Sequence, residues 1–79
     1  MDFIELTVKN HVILHGFDNQ NQEILEEIEV ESAAKKLIAV HRILSVSEKY
    51  VLVAYAYDRI IYWEYEESYE YVKQLLRNL

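Results

Sequence analysis

Residues 50 to 65 read YVLVAYAYDRIIYWEY, two apolar, tyrosine-rich runs joined at Asp58-Arg59. The alternation within each run is that of an antiparallel hairpin. With Asp58 and Arg59 as the turn, Tyr57 pairs with Ile60, Tyr55 with Tyr62 and Val53 with Glu64 on one face. On the other, Ala56 meets Ile61, Ala54 meets Trp63 and Leu52 meets Tyr65. Small Ala54 opposite large Trp63 suits a sheet face that carries a helix, so this second face is expected to be core. Tyr55, Tyr57 and Tyr62, with rings that tolerate water, are expected to form a contact surface, with Val53 and Glu64 beside them.

Toward the C-terminus, Ser68 after Glu66-Glu67 is an expected N-cap, and Lys73 and Arg77 complement the far end of a helix dipole. Tyr69, Val72, Leu76 and Leu79 fall on one stripe, flanked by Leu75, while Glu70, Gln74 and Arg77 point away. This amphipathic helix is expected to lie on the Trp63 face.

Toward the N-terminus, LIAVHRILSVS at 37–47 reads as a strand bent near His41. FIELTV at 3–8 alternates as a first strand, Lys9-Asn10 offers a turn, and HVILHGF can return as a second. Gly16 precedes FDNQNQ, the clearest loop. Residues 23–36 fit either a helical stripe or alternation; a strand through about Val30, followed by a connection at 32–36, is the reading adopted, with a single helix as its alternative. The fold class is therefore α+β, a small antiparallel sheet of four to five strands with a C-terminal amphipathic helix packed on one face. One domain over 1–79 is expected, since no repeat, proline or low-complexity tract marks a linker.

A 79-residue chain buries only about 60% of its unfolded surface, and with no cysteine it has no disulfide to compensate. Oligomerisation is the expected supplement. The opening MDFIELTV lacks a basic n-region and an apolar h-region, and no apolar run reaches the ~20 residues that span a bilayer. A cytoplasmic, soluble protein without membrane contact is expected. Fourteen acids against eight bases, a net charge of -6, argue against direct nucleic-acid binding. The acids fall in two clusters, Glu23, Glu26, Glu27, Glu29 and Glu31, and Glu64, Glu66, Glu67 and Glu70. Solvated faces explain them most simply; a surface for a basic protein target is the sharper alternative.

Residues 37–76, with Ile43-Leu44-Ser45-Val46, the hairpin and Glu67-Ser68 opening the helix, are similar in layout to the FlbD-like family of small bacterial proteins. FIELT at the N-terminus also matches the way that family begins. The resemblance covers a little over half the chain, and it departs from the family at Asp58-Arg59, where an Asn-Gly type of turn is usual. It implies a binding or assembly module of bacterial or phage origin and brings no active-site residues with it.

Catalysis is not expected. No HExxH, CxxC, GxGxxG, P-loop or GxSxG pattern is present, and a single glycine cannot build a phosphate cradle. His11, His15 and His41 could meet at a metal only if their strands pair, and satisfied surface histidines are the ordinary explanation. Paired carboxylates such as Glu64 and Glu66, or Glu26 and Glu29, lack the cleft that would separate their pKa values. Ser45 and Ser47 near His41 share a strand without forming a relay. The expectation is a non-enzymatic protein-interaction module without cofactor or metal, self-associating as a dimer through the tyrosine-rich face. The alternative is an acidic inhibitor or nucleic-acid mimic for a basic protein.

Overall fold

A computed structural model describes residues 2–79. It contains six antiparallel strands, two short 3-10 turns and one helix: β1 (Phe3–Phe17), β2 (Glu23–Ile28), β3 (Ala34–Ala39), β4 (Ile43–Val46), β5 (Tyr50–Tyr55), β6 (Arg59–Tyr65) and α1 (Tyr69–Arg77). The α+β class stands, with six strands where four to five were expected. Along the sheet the order is β2-β1-β6-β5-β4, and β3 pairs with the first half of β1.

The strands depart from the expected ones at three places. Residues 34–36, expected in a connection, pair with β1, Lys36 opposite Leu6 and Lys35 opposite Thr7. The bend expected near His41 is a 3-10 turn, Val40–Arg42, that divides the segment into β3 and β4. Conversely, Lys9-Asn10 is not a turn. β1 runs through it, because the pairing with β6 passes from Val8–Tyr65 to His11–Trp63 and so places one extra residue on β1. This bulge reverses the strand's faces. Ile4, Leu6 and Val8 enter the core before it, whereas Ile13 packs against the core after it.

A second irregularity lies between Leu14 and Gly16 in the β1–β2 ladder. Gly16 has φ +136° there, a conformation open chiefly to glycine. Asp18 then organises the loop, its Oδ1 accepting the Gln20 and Gln22 amides at 2.8 and 3.0 Å.

The hairpin register differs from the expected one by three residues. Tyr55 pairs with Arg59, Val53 with Ile61, Leu52 with Tyr62, Val51 with Trp63 and Tyr50 with Glu64. The connection holds three residues, Ala56–Asp58, and both Tyr57 and Asp58 take φ of 60°. An odd shift keeps the Ile61-Trp63-Tyr65 face of β6 as expected but turns β5 over. Val51 and Val53 are the core residues of β5, and Ala54 and Leu52 lie on the opposite side.

The core joins Ile4, Leu6 and Val8 of β1, Ile38 of β3, Val51 and Val53 of β5, Ile61 and Tyr65 of β6, and Val72 of α1. β3 and β5 are not neighbours in the sheet, so their sharing of one core means that the β1–β3 end folds back over the β5–β6 ribbon. The helix seals that interior with Val72, while Leu75 and Leu76 pack beside it. Ser68 caps the helix, its Oγ accepting the Tyr71 amide at 3.1 Å.

Candidate interaction surfaces

The face of the sheet opposite α1 has no covering element, and the register determines what it displays. One row runs Val12, Tyr62, Leu52, and the next Leu14, Ile60, Ala54, each set directly paired across β1, β6 and β5. Leu25 of β2 extends the second row, opposite Leu14. Leu14 is buried although it lies outside the main core cluster, and the other residues of the two rows, Leu25 apart, are half-buried. Tyr50 meets Tyr62 edge to face, ring centroids 6.0 Å apart. The result is an apolar patch on an open sheet face, centred on Tyr62.

The residues expected in the contact surface divide three ways. Tyr62 is at the centre of this patch, and Glu64, paired with Tyr50, is at its rim. Val53 belongs to the core, because the odd register shift turns it inward. Tyr55 and Tyr57 are exposed near the hairpin tip, Tyr57 at 88%, with Arg59 5.8 Å from its ring. The tyrosine cluster therefore forms from Tyr50 and Tyr62. Tyr50 was within reach of sequence reasoning, but only a three-residue turn would have put it opposite Glu64 and beside Tyr62.

The acidic residues are similarly redistributed. Glu23, Glu26, Glu27, Glu29 and Glu31 are exposed along β2 and the turn after it, and Glu66 and Glu70 are exposed before and within α1. Glu67 is engaged internally: its two carboxylate oxygens accept the Thr7 amide at 3.0 and 2.9 Å. Glu27, Glu29 and Glu64 line one shallow groove with Tyr50 and Asn10.

His15 bonds Glu26 at 2.7 Å, His11 stacks on Trp63 with centroids 4.0 Å apart, and His41 lies in the exposed 3-10 turn. Among the described residues no group of three His, Cys, Asp or Glu side chains converges as metal ligands would. An open cleft of about 280 Å³ separates β3 from the β5–β6 ribbon, lined by Phe3, Leu37, Tyr55 and Trp63 with Lys36 and Arg42. It contains no carboxylate or imidazole.

No helix among the described residues is long and apolar enough to cross a membrane. Compared with known proteins, the chain matches no family model, no curated protein and no solved structure.

Proposed function

We propose that this protein is a non-enzymatic interaction module that self-associates, with the Tyr62-centred sheet face as its contact surface. The observation that carries the reading is the half-buried apolar patch formed by Val12, Tyr62, Leu52 and Ile60, flanked by Tyr50. A surface of this composition is wet when free and dry in a complex, and tyrosine is well suited to both states. The FlbD-like layout of residues 37–76 implies the same kind of role, an assembly module of bacterial or phage origin.

Light scattering behind a sizing column tests the reading. A dimer or larger species is expected in the wild type, and Tyr62→Ser with Tyr50→Ser is expected to remain folded while weakening association. A wild-type chain that stays monomeric at every attainable concentration overturns it.

A second reading is supported by the groove that gathers Glu27, Glu29 and Glu64: an acidic face that docks on a basic protein. Its binding would fall steeply with salt, whereas an apolar contact centred on Tyr62 would not.

A further inference from the structure

β2 and β3 each pair only with β1, and their registers place them on the same side of it, one after the other. Val8 shows this directly, since it pairs with Ala34 of β3 and with Tyr65 of β6 at once, leaving β3 on the side away from β6. Both strands run antiparallel to β1, so residues 23–39 form one interrupted edge with the turn at 29–33 between its two arms. The outward N–H and C=O groups of such an edge are available to a further strand.

The two arms have opposite charge. β2 carries Glu23, Glu26 and Glu27, and β3 carries Lys35 and Lys36. All five side chains are exposed, as are Leu25 at 52% and Leu37 at 63%. Within the chain the two lysines have no carboxylate partner among the described residues, and Lys36 rests 5.4 Å from the Trp63 ring.

We infer that this edge is a docking surface for a second copy of the chain, joined antiparallel about a two-fold axis perpendicular to the sheet. The inference rests on the self-association just proposed but moves its contact from the Tyr62-centred face to the sheet edge, so the Tyr50 and Tyr62 variants, which weaken a face contact, are expected to leave an edge dimer intact. Such an axis maps each sheet face onto itself, so opposed residues must lie on the same face. Even-numbered residues of both arms share the core-side face, which requires an even sum for every opposed pair.

Among the even registers near the centre of the edge, one sets the acids of β2 against the lysines of β3. It sets Glu26 opposite Lys36 of the second copy, Glu27 opposite Lys35, Leu25 opposite Leu37 and Ile24 opposite Ile38. Symmetry repeats each pair. Moving the register by two residues either way places Leu25 against Lys35, or Ile28 against Lys36. Leu25 belongs to the outer-face row that holds Leu14 and Ile60, so its pairing with Leu37 continues the apolar patch across the junction. Glu31 meets its own symmetry copy at the axis, the one repulsive contact of the arrangement.

The test uses two full-length charge variants, Glu26→Lys with Glu27→Lys, and Lys35→Glu with Lys36→Glu, each checked for folding by circular dichroism. Each alone is expected to dimerise at least about tenfold more weakly than wild type, because its charged edge pairs, 26 with 36 and 27 with 35, become like-charged. Mixed one to one they are expected to form a heterodimer, since both edges are then complementary.

Wild-type-like dimers of either variant, or no gain on mixing, overturn the edge register while leaving self-association in place; a monomeric wild type overturns both. Should a charge variant fail to fold, cysteine pairing decides. The natural chain has no cysteine, so a mixture of Leu25→Cys and Leu37→Cys chains is expected to cross-link on oxidation, whereas Leu25→Cys alone is not. Equal cross-linking in both overturns the proposal. Glu31→Gln is expected to tighten the dimer several-fold, and a loosened one counts against the axis.

Discussion

Glu67 holds the backbone of Thr7, sixty residues earlier in the chain, accepting its amide on both carboxylate oxygens at 3.0 and 2.9 Å. The Thr7 carbonyl in turn accepts the Glu66 amide at 2.9 Å. Both polar groups of one β1 residue are therefore bound to the corner where β6 passes into α1. Hydrogen bonds to a charged acceptor are worth more than neutral ones, and removal of the acceptor leaves a half-buried N–H without its partner.

Glu67→Ala is accordingly expected to lower unfolding stability by about 1–3 kcal/mol, read as a reduced urea midpoint with unchanged slope. Glu66→Ala, whose side chain is exposed, is expected to change stability by no more than about 0.5 kcal/mol. Equal effects from the two would contradict the assigned role.

Val53 and Ala54 separate the two faces of β5. Val53→Thr puts a hydroxyl into the core cluster and is expected to cost about 1–3 kcal/mol, whereas Ala54→Thr, on the outer face, is expected to be nearly neutral. Thermal melts of the two variants suffice. The reverse ranking would restore the two-residue turn and its inverted register.

At the hairpin tip, Tyr57 occupies φ 60° and ψ 41° with its ring almost wholly in solvent. A side chain of this size pays a steric cost in that region which asparagine and glycine largely avoid. Tyr57→Gly is expected to stabilise the fold by about 0.5–1 kcal/mol, and Tyr57→Val to destabilise it. Chemical denaturation of the pair, compared with wild type, measures both signs.

Tyr65 donates its hydroxyl to the Ser47 carbonyl from a buried position. Burial, first of all, raises its pKa above the ordinary tyrosine value of 10.0, and Tyr69, Glu48 and Glu67 add in the same direction. The folded state then holds this proton more tightly than the unfolded state. The stability that follows is fully present below about pH 10 and is lost as pH rises through the folded value. A stability profile that falls above pH 10 in the wild type and falls less in Tyr65→Phe is the expected outcome.

Much of the helix and little of the strand pairing was legible beforehand. Ser68 and the Val72-Leu76 stripe specify α1 through interactions within a few residues, which is why the N-cap and the centre of the inward face agree with expectation, whereas Tyr69 and Leu79, expected on the same stripe, are exposed at the helix ends. The β5–β6 pairing depended on whether two or three residues made the turn, and no local rule excludes positive φ at Tyr57 when Asp58 follows. The Lys9-Asn10 pair has turn chemistry, yet it forms a bulge because β6 and β3 both pair with β1 at Val8 and hold the strand extended. Non-local pairing overruled local preference at both places. On the sheet, Tyr62 and Glu64 keep the expected face of β6, while Val53 turns into the core for the same reason. Tyr50 and the paired arms of β2 and β3 needed the register before they could be seen.

β1 borders three strands, β2, β3 and β6. Its partner residues in β6 lie at 60–65, later in the sequence than those in β2 and β3. During synthesis, then, one side of a fifteen-residue strand containing Ile4, Leu6, Val8, Ile13 and Leu14 waits until β6 has been made. Folding is consequently governed by distant pairings, of the slower kind for a domain this small. Truncation before β6 would leave one side of the longest strand unmatched, prone to join whatever edge it meets first.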